Sequence, residues 1–449
     1  MLATQSIPVR SFINERKLSG FQIRTLVLCF LILVLDGYDT VVVGFIAPVL
    51  KSQLGVSPMQ FAPVFGAGFL GLAIGSFVFG PVADRFGRRV TLICAVLLFS
   101  LFSILSALAT SIEALIALRL ITGLGLGGAM PNAYTLAAEY CPDRMRSSLI
   151  APLGCGISAG GVLGGLVAPH MVSNYGWQSM LILGGALPLL FSVFLIVWLP
   201  ESASFLLTRG RQSEAQAIIQ RIEPHTPLGE TRFTLDEVAD QGFPVSHLLR
   251  SGLRGGTLLL WVTGFMALLA VYFLGNWLTI LIQESGVPFG RASLMTALYL
   301  TGNGLGAIFL GFLMDRMNPQ YVVAGAFLCA AVCLASFGHL TGVPALALVA
   351  LFLTGVGTGG AMTGTSILST SFYPTATRAT GVAWTLGMGR VGSIVGSMIG
   401  GVMLAAQWAP TIMFAVVSVP IAVAAVSVYG LAVYRRRNPV SVATVLSTQ

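Results

Sequence analysis

Apolar residues along this chain come in runs of about 20, each long enough to cross a bilayer as an α-helix. The runs fall near residues 26–49, 61–82, 90–110, 114–138, 148–169, 178–199, 256–281, 291–313, 321–341, 344–368, 380–404 and 411–433. Twelve transmembrane helices are predicted. One connection between them is long and polar, residues 200–254. Within it, Ser213 to Ile222 predicts an amphipathic helix and Thr234-x-x-Glu237 has the form of a capping box. His225 and His247 stand alone there and read as solvated loop histidines.

Composition agrees with an all-α membrane protein. With 55% hydrophobic and only 9% charged residues, the 449-residue chain lacks the polar surface of a soluble protein of its size. The net charge of +8 is a topology signal rather than a nucleic-acid signal, because basic loops stay cytoplasmic. With both termini cytoplasmic, twenty of the 24 basic residues lie on the inner side, and the outer side keeps only Lys51 and Arg291. Arg119 and Arg390 fall inside helices. The polar start of the chain and the length of the first apolar run do not fit a cleavable signal peptide. Five of the six cysteines lie in predicted helices and Cys141 in an inner loop, so no disulfide framework is implied. Cys329 and Cys333 share a helix face but read as small core residues, not metal ligands.

The chain repeats itself. Gly123-Leu-Gly-Leu-Gly-Gly-Ala-Met130 returns as Gly355-Val-Gly-Thr-Gly-Gly-Ala-Met362, with Pro142 and Arg146 matched by Pro374 and Arg378 at the same offset of 232. Gly80-x-x-x-Asp84-Arg85 returns as Gly311-x-x-x-Asp315-Arg316. Two pseudo-symmetric six-helix bundles follow, as in a transporter that rocks about a site at mid-membrane. The expected division is a cytoplasmic segment 1–23, bundles 24–199 and 255–434, the linker 200–254 and a tail 435–449.

Charges inside the helices are the candidate chemistry. Asp36 and Asp39 interrupt the first run three residues apart, on one helix face. An intramembrane acid needs a partner or a wet cavity. Two carboxylates this close in a low dielectric cannot both ionise cheaply, so one is expected to hold a proton near neutral pH; the alternative is a pair satisfied by an internal arginine. Arg390, about ten residues into the eleventh helix, lies at a similar depth and can clamp a carboxylate through two hydrogen bonds. Its alternative is an ion pair with Asp36 or Asp39. Tyr38, Asn132, Asn276, Trp277, Tyr299, Asn303 and Trp384 are candidates to line the cavity, or else packing residues. No nucleophile–base set, phosphate loop or metal-ligand spacing is present, so no enzyme is expected.

The segment Gly80-Pro-Val-Ala-Asp84-Arg85-Phe-Gly87-Arg88-Arg89 resembles the signature loop of the major facilitator superfamily, and Arg119-x-x-x-Gly123-x-Gly125 is similar to its fourth-helix motif. Asp36-Gly37-Tyr38-Asp39 resembles the first-helix signature of the aromatic acid:proton symporter family, where Pro200-Glu201-Ser202 also occurs. The resemblance implies a proton relay at Arg119, which could equally pair with an acid on the first helix. It also implies a gating network at the inner helix ends, built from Gly80, Asp84, Arg85, Gly87, Arg88, Arg89, Glu139, Arg146, Glu201, Asp315, Arg316 and Arg378. Gly154, Gly156, Gly160, Gly161, Gly164 and Gly165 are expected to let the fifth helix pack closely; Gly160-Gly161 stands where drug exporters carry Gly-Pro.

The function implied is import of a small aromatic carboxylate, such as 4-hydroxybenzoate or protocatechuate, with protons, by a monomeric multi-pass protein of the bacterial inner membrane. Its partners are the substrate, protons and the bilayer; it needs no cofactor beyond the proton gradient. The rivals are a symporter for a sugar, sialic acid or aliphatic acid, and a non-transporting receptor for aromatic acids.

Overall fold

The computed structural model describes residues 6–223, 232–234, 245–249, 252–340 and 343–437. A strand β1 (Ser6–Pro8) and a short helix α1 (Val9–Asn14) precede the first long helix. Six long helices follow: α2 (Gly20–Leu54), α3 (Pro58–Phe86), α4 (Arg88–Ser106), α5 (Ile112–Tyr140), α6 (Arg146–Tyr175) and α7 (Gln178–Trp198). The linker carries α8 (Ala203–Thr208), α9 (Gln212–Ile222) and a strand β2 (Arg232–Thr234). Six more long helices complete the chain: α10 (Arg254–Glu284), α11 (Phe289–Arg316), α12 (Pro319–Phe337), α13 (Pro344–Phe372), α14 (Thr375–Ala405) and α15 (Pro410–Arg437). All twelve long helices are apolar and long enough to span a bilayer. Most run several residues past the apolar cores, because helical hydrogen bonding continues into the headgroup region. The amphipathic linker helix is α9, which buries Ala215, Ile219 and Ile222. Thr234 lies in β2, while Glu237 and His225 fall outside the described residues.

The chain gathers into two compact units. The first comprises Met1–Thr40, Leu70–Gly160 and Leu181–Ala239, the second Val41–Phe69, Gly161–Met180 and Asp240–Gln449. One boundary falls in the linker and the others fall inside α2, α3, α6 and α7.

Hydrocarbon gives apolar helices little reason to associate, so their packing relies on close backbone approach. The repeated glycines supply it. In the first unit a Cβ on Gly125 would lie 2.8 Å from the Ala95 carbonyl oxygen of α4, and one on Gly127 2.2 Å from that of Leu72 on α3. In the second unit their counterparts do the same: Gly357 would meet the Ala326 oxygen of α12 at 2.4 Å, and Gly359 the Asn303 oxygen of α11 at 2.0 Å. The sequence repeat is thus a repeat of helix-packing contacts.

The N-terminal residues are docked onto the first unit. β1 pairs in parallel with β2, Ile7 opposite Phe233. Phe12 is buried edge-on against Phe233 at 5.4 Å. Asp143, in the turn after α5, receives three hydrogen bonds from Arg10 at 2.7, 3.0 and 3.2 Å and one from Asn14 at 2.6 Å. Those bonds, from Arg10 first and then Asn14, hold its carboxyl down at about 2. Since that lies below the ordinary value, the tie is at full strength above about pH 4 and is lost as pH falls through about 2. Cys141 lies in the same core as Phe12, and burial pushes its thiol up to about 11.

Two outcomes are expected. Gly127→Val and Gly359→Val, which force a side chain into backbone, each lower the thermal unfolding temperature; Gly311→Ala, with open space around it, leaves it unchanged. In a variant keeping only Cys141, Phe12→Ala raises the rate of maleimide labelling about tenfold or more and Asp143→Asn raises it less; an unchanged rate in the Phe12→Ala variant would refute the docking.

Candidate functional site: a buried ion pair on the first transmembrane helix

Asp39 is fully buried, and three helices of the first unit supply its surroundings. Arg119 of α5, only 4% exposed, donates to its carboxylate at 2.9 and 3.4 Å and to its backbone carbonyl at 3.0 Å. Ser103 of α4 donates to the same carboxylate at 2.6 Å. Gly184 of α7 lies against the Tyr38 ring, and a Cβ there would sit 2.9 Å from it. Of the two readings open for Arg119, the structure displays the pairing with an acid of the first helix. A guanidinium and a carboxylate buried together leave no net charge in the low dielectric, but removing either partner strands the other. Asp36 is 3% exposed and accepts from Thr40 at 3.2 Å.

Gly37, between the two acids, has a packing role. A Cβ there would lie 2.1 Å from the Ile157 carbonyl oxygen, and one on Gly160 would lie 1.9 Å from that of Val34. The two glycines press α2 and α6 together backbone to backbone. Gly161 and Gly165 belong to the second unit, where they abut Leu300 and Ala297 of α11.

The ends of the first unit's helices nearest the linker carry a linked set of polar groups. Arg88 bridges Asp84 at 2.8 Å and Asn132 at 3.0 Å, which ties Asn132 to this network. Glu201 accepts from the backbone N–H of Arg89 at 3.0 Å and of Ser202 at 2.9 Å. Gly87 needs its glycine: φ is +97°, and a Cβ would meet the Glu201 carboxylate at 2.3 Å. Glu139 accepts from Ser202, and Arg146 lies 3.8 Å from Asp143. Arg209 donates to the Arg85 carbonyl at 2.9 Å. Gly80 has open space where a Cβ would be.

The remaining candidates lie in the second unit. Arg390 sits midway along α14 and is half-buried. Trp277 is fully buried, donates to the Ser397 carbonyl at 2.8 Å and packs edge-on against Phe65, which makes it a packing residue. Asn276 donates to the Tyr272 carbonyl at 2.7 Å. Tyr299 and Asn303 of α11 converge on Thr358 of α13 at 3.5 and 3.4 Å. Trp384 is 41% exposed and stacks with Trp261 at 5.7 Å. Arg316 lies over the Phe312 ring, Asp315 is exposed beside it, and Arg378 reaches the Tyr373 carbonyl at 3.4 Å.

Sequence reasoning missed Ser103, Thr358 and Asp143. For Ser103 a signal existed: Ser100, Ser103 and Ser106 recur every three residues in an apolar run, and all are fully buried.

Comparison with known proteins gives this geometry its setting. The family model described as Major Facilitator Superfamily matches residues 29–289 and 260–447. The 4-hydroxybenzoate transporter PcaK of Acinetobacter baylyi is 39% identical over 434 residues, 95% of each chain. A gallate transporter of Pseudomonas putida is 41% identical over 94% of each chain. The inward open conformation of the xylose transporter XylE from E. coli superimposes with a TM-score of 0.73 over 91% of this chain and 96% of that one; at 19% identity this is a likeness of fold. The chain belongs to the major facilitator superfamily and, within it, to the aromatic acid transporter family.

Proposed function

We propose that this protein imports small aromatic carboxylates of the hydroxybenzoate class together with protons, by alternating access, across the bacterial inner membrane. The observation that carries the reading is Asp39: a carboxylate fully buried on a membrane helix, held by Arg119 and Ser103 in bonds that a proton would weaken. The names of relatives about 40% identical, a 4-hydroxybenzoate transporter and a gallate transporter, support the substrate class. Entry of an anion against an inside-negative potential costs about 2.3 kcal/mol per charge per 100 mV, which co-transported protons offset.

In this scheme a proton reaches the Asp36–Asp39 region from outside. Protonated Asp39 is neutral and holds Arg119 less tightly, so the helices it ties together gain freedom to move. Arg390 receives the substrate carboxylate through its planar pair of N–H donors. With both charges neutralised the protein changes face, and substrate and proton leave inside. The inner polar network biases that exchange: each exposed pair is worth about 0–1 kcal/mol, enough in combination to shift a nearly balanced equilibrium.

Uptake of labelled 4-hydroxybenzoate into proteoliposomes, with and without an imposed pH gradient, tests the reading. Accumulation should require the gradient and be competed by other benzoates but not by sugars; accumulation indifferent to the gradient would remove the proton from the scheme. Asp39→Asn should abolish gradient-driven accumulation while leaving substrate counterflow measurable. Arg390→Lys should weaken apparent substrate affinity about tenfold through loss of the two-pronged bond, with membrane insertion unchanged. The buried pair has its own signature. Arg119→Leu should destabilise the fold by about 3–5 kcal/mol, and adding Asp39→Asn should recover much of that loss in a double-mutant cycle.

A further inference from the structure

Outside the buried pair and the inner network, one cleft of the first unit has the make-up of a ligand site. It lies between the start of α2 and the end of α9, encloses about 570 Å³ and is lined by Gly20, Phe21, Arg24, Gln220 and Arg221. Its two charged groups are both cationic. Arg24 is exposed and lies over the Phe21 ring at 5.5 Å; Arg221 is exposed on the last turn of α9. Among the described residues neither makes an ion pair, because nearby Glu223 is taken by Arg16 at 3.7 Å. Among the described residues the charged lining of the cleft is therefore positive.

Its surroundings point to a lipid. Beside Arg24, α2 presents Ile23, Val27 and Leu31, 48%, 48% and 37% exposed and spaced by four, as an exposed apolar strip on a membrane helix. The other wall is an amphipathic helix whose apolar residues are spent on the protein core. We propose that this cleft is a binding site for the headgroup of an anionic phospholipid, with Arg24 and Arg221 holding the phosphate and the acyl chains lying along Ile23, Val27 and Leu31. A zwitterionic headgroup would bring an ammonium to a cleft that, among the described residues, is lined by no acid. A free phosphate would leave the apolar strip without a role. A bound lipid would pin the linker helix to the first transmembrane helix at the membrane surface.

The test uses the full-length protein in phosphatidylcholine nanodiscs titrated with phosphatidylglycerol, bound lipid being counted by native mass spectrometry. The wild type should retain phosphatidylglycerol in preference to phosphatidylethanolamine. Arg24→Gln/Arg221→Gln should bind it about thirtyfold more weakly, the factor that about 1 kcal/mol for each of two surface arginines implies. Arg24→Lys/Arg221→Lys should restore most of the affinity, and Lys17→Gln, at an exposed base outside the cleft, should leave it unchanged. Both arginines are exposed, so the variants test binding rather than folding. Wild-type affinity in the double Gln variant, equal retention of phosphatidylethanolamine, or displacement of the lipid by millimolar inorganic phosphate would each overturn the proposal.

Discussion

A charge inside a membrane must be answered where it stands, and in this protein the answer to Asp39 organises the first unit. Water is absent from the hydrocarbon core, so the carboxylate draws its partners from other helices: Arg119 from α5 and Ser103 from α4. The two residues before it extend the arrangement. Tyr38 packs its ring against Gly184 of α7, while Gly37 sets α2 directly on the backbone of α6. Three consecutive residues thus address four different helices, and each does so by different chemistry. A change at any of them moves the others, because they share one rigid turn of α2.

The linker end of the first unit obeys another rule. There the charges are half-exposed, water competes for them, and no single ion pair commands much energy. Arg10 and Asp143 keep about half their surface, 55% and 43%. Docking of the N-terminal residues is better explained by Phe12 and Phe233, both buried, with the charged groups setting where those rings land. Apolar burial supplies the strength and polar groups supply the register. The same division holds at Glu201, whose carboxylate serves backbone N–H groups at the start of α4 and of α8, fixing how two chain segments meet.

These two rules decide what could be read in advance. Twelve helices and the glycine repeat are legible because each reflects a demand made on a continuous stretch: enough apolar length, or no side chain at a given position. Asp36, Asp39 and Arg119 are legible as anomalies in apolar runs. The partnership of Asp39 with Arg119 is not, since 80 residues separate them and depth along a helix leaves several partners within reach. Trp277 shows the converse difficulty. An indole looks the same in a sequence whether it faces a cavity or packs in a core, and only Ser397 and Phe65 reveal which. β1 escapes notice because three residues acquire a strand's geometry only when β2, more than 200 residues away, lies beside them.

The repeat also shows where the two halves diverge, and the divergence is chemical. Gly125 and Gly357, or Gly127 and Gly359, bring equivalent helices together in the same way, so the backbone scaffold is duplicated. The side chains on that scaffold are not. At the offset of 232, Arg119 corresponds to Leu351, and Thr358, which gathers Tyr299 and Asn303, corresponds to Leu126. The first half therefore carries a buried ion pair where the second carries an apolar residue, and the second carries neutral hydrogen-bonding groups where the first has none. Duplicated packing gives both halves the same backbone contacts at equivalent positions. Packing can be duplicated without duplicating charge, because a buried ion pair is satisfied by its own partners and asks nothing of the equivalent positions in the other half.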